Sequence, residues 1–436
     1  MHAKYTGFNV DHSEVIKAIK IDLTRHLNSY LNDFQDEFRY GIDKELGPCE
    51  YWTSVTLYDK LARIVSLMSS RVFVGLPLSR EQEWMDASVN YTRDLVMARE
   101  AVENQPAILR PFLARFLPEV KSIKRYAKRG AVLLAPLIQE VLAREASGKS
   151  YQQNREENSR GTMISWILKY TTDRSVQSVT DDQMILTFAA ISTTTGTATQ
   201  AIFDLISRPE YIKPLRDEIQ QVIEEDGLDN IGSKSHKLKK QSIPRLKKLD
   251  SFLKESQRLS PLSIVGMDRI TTTTLNLSTG HTIPKGVHIT FPSYAISMSA
   301  QSIVSSSDNA ESYVPPHEFD GFRFSKLRVM EGNESKVCVD ASLLPQLAAD
   351  KRQHQFVATS SDSIHFGHGL HACPGRFFAS NEIKVVLIEL LQNWDMRFKG
   401  DVQRLGGVDK RPENKYFGMS ILPNESAQIE FRRRRA

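Results

Sequence analysis

The chain is expected to be mainly α-helical with small β-sheets. Three observations carry that expectation: apolar residues recur at three-to-four spacing through residues 13–142, a long capped helical pattern follows at 180–207, and short β-like runs between turn signals appear only in the last third. In the first stretch Ile16, Ile19, Leu23, Leu27 and Leu31 mark one helix face, so this half reads as all-α. No repeat of fixed period is present. Residues 146–160 are polar and read as an exposed loop between helices.

Thr180 as N-cap with Gln183 three residues on reads as a capping box, and Asp181 and Asp182 place negative charge in the first turn. Pro209 ends the helix near Ser207, leaving about 27 residues, or ~40 Å. Its middle, 188–196, is small and hydroxyl-rich, which is poor helix material and invites a functional explanation. A second helix is expected from Pro244 near its first turn to Leu259, where Ser260-Pro261 stops it. Strands are expected at 271–277 and 288–291, with turns at Ser278-Thr279-Gly280 and Pro284-Lys285-Gly286. Residues 325–362 lack periodicity and read as a long irregular connection.

Composition narrows the function classes. The net charge of +5 is small and its cations are scattered, which argues against nucleic acid as a partner. With 40% hydrophobic and 25% charged residues the chain is too apolar to be disordered. Its three cysteines, Cys49, Cys338 and Cys373, are odd in number and far apart, so neither a disulfide framework nor a CxxC zinc site is available, and a reducing compartment is the easier reading. The first residues are neither a secretory signal nor a membrane span, and the longest nearly apolar runs, 131–138 and 184–191, fall short of the ~18 residues a span needs.

The most informative stretch is the glycine-punctuated loop 363–379, which runs into a helical pattern with Ile383, Leu387, Leu390, Leu391 and Trp394 on one face. Cys373 is therefore expected at a helix N-terminus, where unpaired amides favour a thiolate suited to an iron ligand or a nucleophile. Cys49 and Cys338 read as small buried apolar residues.

Phe366, Gly369, His371, Cys373 and Gly375 occupy five fixed positions of a ten-residue window, and this string resembles the haem-binding signature of the cytochrome P450 superfamily. The resemblance implies the cytochrome P450 fold and Cys373 as axial ligand of a haem b (iron protoporphyrin IX). Phe366 would pack beside the sulfur, Gly369 would permit the turn, His371 would reach a propionate, and Gly375 would let the backbone lie close to the macrocycle. Glu255 and Arg258 are three apart and share a helix face. The segment 316–324 resembles the family element whose arginine, here Arg323, completes a Glu-Arg-Arg cluster that locks the cysteine loop. On the long helix the resemblance makes Ala190 the groove position over the iron and Thr193 the proton-relaying alcohol. Ser192 stands where an acid is usual, so a hydroxyl-and-water chain replaces a carboxylate. Arg269 and Lys20 match the family's further propionate-binding positions. Phe188, Ile191, Ile264, Val265, Met267, Phe417 and Met419 fall in its substrate-lining segments.

The implied activity is a haem-thiolate monooxygenase acting on a lipophilic small molecule. The style of 249–258 and 366–379 most resembles fungal enzymes that tailor terpenoid or related secondary metabolites. Oxygen would come from O2 and electrons from a separate NADPH-cytochrome P450 reductase, since no flavin- or nicotinamide-binding glycine motif follows a strand here. The resemblance implies a single domain over 1–436: an early helical part at 1–180, the long central helix at 181–208, and the Glu-x-x-Arg helix, β segments and cysteine loop at 244–436. It begins near the loop before Lys20; the family's membrane anchor, first helices and first strands have no counterpart, so the expected fold is N-terminally truncated with a sheet edge left open. The family setting is the cytoplasmic face of the endoplasmic reticulum membrane; without the anchor this chain is expected to be soluble or peripheral. Residues 227–243 and 325–355 are longer than the family pattern requires. Two alternatives stay open: a haem-binding protein without turnover, and a redox-neutral haem-thiolate isomerase or dehydratase that the Ser192 departure keeps alive.

Overall fold

Helices fill the first half because its apolar faces need partners, and in the computed structural model those faces meet in one contiguous hydrophobic cluster. The structure describes residues 12–147, 160–230, 236–299, 314–334, 354–400 and 410–434. The principal helices are α1 (Leu31–Leu46), α2 (Leu57–Phe73), α3 (Gln82–Glu103), α4 (Pro118–Ala146), α5 (Val176–Ile206), α6 (Lys247–Leu259), α7 (Arg323–Glu334) and α8 (Arg376–Asn393). Before α1, Lys20 lies on a π-helical turn, Ile19–Leu23. The loop expected at 146–160 and Cys338 lie largely or wholly outside the described residues.

The long central helix α5 begins earlier than the sequence suggested. Ser175 is its N-cap and accepts a hydrogen bond from the Ser178 backbone N–H. Thr180 and Gln183 are both buried inside the helix, where the Gln183 amide donates to Thr187 Oγ1 rather than closing a capping box. Val176 and Val179 extend the apolar pattern backwards, which is why the start moved. The helix is 31 residues long, about 46 Å. In its hydroxyl-rich middle, which is helical throughout, the side chains bond back to the preceding turn, Ser192 to the Phe188 carbonyl and Thr193 to the Ala189 carbonyl, each at 2.7 Å, so their polar atoms are satisfied within the helix.

The early half is not all-α. Strand β1 (Thr53–Thr56) pairs with the C-terminal strand, and the three-stranded antiparallel sheet runs in the order β1, Gln428–Arg433, Trp394–Phe398. A four-residue strand whose partner lies more than 370 residues away leaves no local signature. Further along, the strand expected at 271–277 lies instead at β2 (Gly266–Ile270), paired with β3 (His288–Phe291). Thr271 turns the chain by donating from Oγ1 to the Pro284 carbonyl, and only Leu275–Asn276 of the expected run forms a strand. The second helix also starts later, at Lys247, after a single 3-10 turn over Ile243–Arg245.

Of the stretch read as irregular, 325–334 belongs to the helix α7; residues 335–353 lie outside the described residues. Trp394 does not belong to the last helix: α8 ends at Asn393, and Trp394, fully buried, opens strand β4 (Trp394–Phe398). Helix α8 is anchored by Phe378, whose ring stacks on Phe73 at 5.6 Å and meets Phe34 edge-on at 5.3 Å. Burying an aromatic side chain of this kind stabilises by ~1.5–3 kcal/mol, and these contacts fix the helix onto which the cysteine loop feeds.

Candidate active site

The cysteine loop is held in shape by its own backbone. The Cys373 N–H donates to the Phe366 carbonyl at 2.6 Å, the Ala372 N–H to Gly369 and the Gly367 N–H to Ile364. Two glycines make this possible. Gly367 and Gly369 take φ of +68° and +66°, in the left-handed region, and a Cβ at Gly367 would sit 3.0 Å from the His371 carbonyl. Gly375 is different: its φ is −87°, and a Cβ there would meet no protein atom within 4 Å. Neither backbone conformation nor protein packing requires glycine at 375.

The expected thiolate at a helix N-terminus is corrected in one respect. Helix α8 begins at Arg376, three residues after the cysteine, and burial pushes the Cys373 thiol up despite the Gly375 and Arg376 amides and the Arg376 charge. A metal cation against the sulfur is what reverses that balance. Cys49, by contrast, is buried with its thiol donating to the Leu46 carbonyl.

A cavity of about 400 Å³ lies in front of the loop. Cys373, Phe366 and His371 bound it on one side, Thr193, Thr194 and Thr197 of α5 on another, and Val265 and Met267 of the β2 region close it. Met267 is in the left-handed region, φ +58°, where a register shift between Gly266 and Arg269 bulges β2 toward the cavity. Gly196 lets the neighbouring segment approach α5, since a Cβ there would meet Leu262 Cδ2 at 2.9 Å. His365, which no sequence signal marked, also borders the cavity. Both of its ring nitrogens are buried without a hydrogen-bond partner among the described residues. Burial, with the charges of Lys254 and Arg258, pushes its imidazole down to about 4.

Behind the loop, Glu255 gathers charge from three directions. Arg258 binds it in bidentate fashion at 2.7 and 2.8 Å, Arg323 Nε donates at 3.2 Å, and the Asp320 N–H donates at 3.0 Å. Arg323 also donates to the carbonyls of Val314, Pro315 and Glu318, and Arg258 contacts Met298 Sδ at 3.0 Å. Glu255, Arg258 and Arg323 are all buried.

The remaining sequence candidates lie as follows. Lys20 donates to the Leu370 carbonyl of the cysteine loop at 3.3 Å. Arg269 donates to the neighbouring Asp268 carbonyl and does not border the cavity. Phe188 and Ile191 are buried on α5, and Ala190 and Ser192 are half-buried; none of the four borders the cavity. The Ile264 N–H donates to the Met419 carbonyl, which brings the Phe417–Met419 turn beside the cavity-lining segment, although neither Ile264, Phe417 nor Met419 borders the cavity itself. Among the described residues no helix is long and apolar enough to cross a membrane, and no group of three or more His, Cys, Asp and Glu stands ready to hold a metal ion. A porphyrin iron asks only for the single sulfur.

With this geometry in hand, comparison with known proteins is direct. The family model described as Cytochrome P450 matches residues 20–431. Cytochrome P450 monooxygenase ascG of Acremonium egyptiacum is 43% identical, over 99% of this chain and 78% of its own length. Cytochrome P450 monooxygenase 3 of Gibberella fujikuroi is 37% identical, over 99% of this chain and 77% of its own. Among solved structures, retinoic acid-bound cyanobacterial CYP120A1 shares the fold, with a TM-score of 0.64 at 19% identity over 98% of this chain and 80% of that one.

Proposed function

The chain belongs to the cytochrome P450 family and is a cytochrome P450 monooxygenase, and from that premise we propose that Cys373 binds haem b as its axial ligand and that the enzyme oxidises a lipophilic small molecule. The observation that carries this reading is the cavity itself, which has Cys373 on one wall and Thr193 on another. Three further features support the fit to a macrocycle: a Cβ at Gly375 would meet no atom within 4 Å, the His365 ring has no hydrogen-bond partner among the described residues, and burial pushes the Cys373 thiol up, a balance that a cation at the sulfur would reverse.

When bound, the haem supplies dioxygen activation and oxygen insertion into a C–H or C=C bond, with electron donation from the thiolate favouring O–O cleavage. The chain's own residues do the rest. His371, which borders the cavity, would meet one propionate, and Lys20 and Arg269 would reach the others only by leaving the Leu370 and Asp268 carbonyls they now bind. Thr193 Oγ1 donates to the Ala189 carbonyl as it stands; to relay a proton it would turn that O–H toward the cavity while accepting a hydrogen bond from a water, giving up its own proton as it takes the water's. Ser192, in place of an acid, extends that relay through water. Ala190, although it does not border the cavity, holds the position that the family resemblance gives to the small groove residue. Glu255, Arg258 and Arg323 hold the wall from which Cys373 projects. Val265 and Met267, with Phe188, Ile191, Ile264, Phe417 and Met419 in the segments around them, make the substrate side apolar.

Electrons come in this reading from an NADPH-cytochrome P450 reductase at the cytoplasmic face of the endoplasmic reticulum membrane, and the substrate is a fungal secondary metabolite such as a terpenoid. The experiment is a carbon monoxide difference spectrum of the reduced protein. Wild type should give the strongly red-shifted Soret band of thiolate ligation and Cys373→Ser should lose it; retention of the same band and products by Cys373→Ser sinks the reading. NADPH consumption with a reductase and a panel of terpenoids then tests donor and substrate class.

A further inference from the structure

A second buried charge cluster, distinct from the one at Glu255, lies against the rear of the cysteine loop. Asp250 on α6 accepts from Lys384 Nζ of α8 at 2.6 Å, from Arg328 of α7, and from the Phe356 backbone N–H at 3.0 Å. Asp250 and Lys384 are buried, and Phe356 is 1% exposed. Arg328 also donates to the His354 carbonyl at 2.8 Å, and Lys254 Nζ donates to the Gln355 carbonyl at 3.0 Å. The segment 354–356 is thus held at every residue. Burial alone would raise the Asp250 carboxyl, yet Lys384 and Arg328 hold it below the usual carboxylate value, so the cluster keeps its charge.

What this cluster holds is informative. The Phe356 ring meets the Phe366 ring edge-on, centroids 5.4 Å apart at 77°. The Phe366 carbonyl in turn accepts the Cys373 N–H at 2.6 Å. A continuous series of contacts therefore runs from the Asp250 carboxylate through the Phe356 backbone and ring to Phe366 and the cysteine backbone. Lys384 sits on the helix that leaves the loop, so Asp250 is tied to the loop on both sides.

We propose that Asp250, with Lys384 and Arg328, is a positioning residue that sets the place of the Cys373 sulfur through Phe356 and Phe366. The inference rests on Cys373 being the haem ligand and adds to that reading a determinant outside the cavity. Removing the carboxylate releases the Phe356 backbone from its anchor, while His354 and Gln355 keep their bonds to Arg328 and Lys254, and lets the Phe356 and Phe366 rings shift, so the sulfur–iron bond should weaken while the helices stay folded. A role in stability alone would lower the melting temperature and leave the spectrum of the folded protein unchanged.

The test uses haem-loaded full-length protein, read by circular dichroism and by the reduced carbon monoxide spectrum. Asp250→Ala should keep its helical signal and pass most of its band amplitude from the red-shifted to the unshifted position. Asp250→Asn, which keeps an acceptor for the Phe356 N–H, should lose less, and Phe356→Leu should show the same conversion with the charges intact. Should Asp250→Ala fail to fold, the pair Asp250→Asn with Lys384→Met removes both charges together and is read the same way. Folded variants with the full red-shifted band overturn the inference while leaving the haem-thiolate reading in place. A wild-type protein without the band overturns both.

Discussion

The two sides of the cysteine loop are built on opposite rules. Behind it the protein answers its own charges: Glu255 accepts four hydrogen bonds from Arg258, Arg323 and the Asp320 backbone, and Asp250 is held between Lys384 and Arg328. In front of it buried polar atoms go without hydrogen-bond partners among the described residues, both nitrogens of His365 and Thr194 Oγ1 being examples. A buried polar group left alone is costly, and native structures leave few of them. The rear is the more completely paired of the two, with Arg328 Nε an exception among the described residues, and the front leaves polar atoms open beside the cavity.

That contrast breaks first at Glu255. Glu255→Ala strands two buried guanidinium groups, and the loss of one partner from such a cluster costs ~3–5 kcal/mol. Urea unfolding should show a loss of that size together with failure to take up haem; a change under about 1 kcal/mol with normal haem content would mean the rear is not self-contained in the sense argued.

His365 tests the front by pH. Its unfolded imidazole titrates near 6.5 and the folded one at about 4, because burial disfavours the charged ring. Below 6.5 the unfolded chain takes up a proton that the native chain refuses, so stability should fall as pH drops through that window and level off below about 4. His365→Phe should flatten that part of the stability–pH curve; an unaltered slope would show that the ring has a partner after all.

The glycines separate the two sides within one loop. Gly367→Ala forces a Cβ into the left-handed region and against a carbonyl, which should cost about 1–2 kcal/mol in the haem-free protein. Gly375→Ala should change haem-free stability by no more than ~0.5 kcal/mol and show its effect only as reduced haem content by titration. Equal effects of the two substitutions in the haem-free protein would erase the distinction.

The smallest stability effect is expected at Thr193. Thr193→Ala removes an exposed hydroxyl bonded within its own helix, so melting should shift little, within ~0.5 kcal/mol. The share of consumed NADPH that ends in product should nevertheless fall, measured by comparing cofactor oxidation with product formed. Unchanged coupling would make the hydroxyl a helix residue and nothing more.

How far the sequence reached follows from where each signal is local. Cys373 and its glycines lie in one ten-residue window, and Glu255 and Arg258 lie three apart on one helix, so the family resemblance could be recognised from local strings; spacing by itself would have left Glu255 and Arg258 as a surface ion pair. Arg323, some seventy residues on, needed the resemblance, because nothing nearby distinguishes it from any other arginine. The sheet that joins Thr53–Thr56 to Gln428–Arg433 was out of reach, since both partners are short and their pairing is long-range. Thr180 with Gln183 satisfied the pattern of a helix start, but Ser175 lay five residues earlier and the apolar face continued through it. His365 carries no pattern at all. Its meaning comes from which atoms fail to meet it, and that exists only in three dimensions.

The left-handed backbone at Met267 has a consequence for how the pocket can change. Valine, isoleucine and threonine strongly resist that conformation, so the wall at 267 is closed to the β-branched residues that would reshape it. Val265, two positions away on the same wall, carries no such restriction. Diversification of what this enzyme accepts, by natural drift or in a directed-evolution library, should therefore accumulate at 265 and stay confined to unbranched side chains, asparagine or glycine at 267.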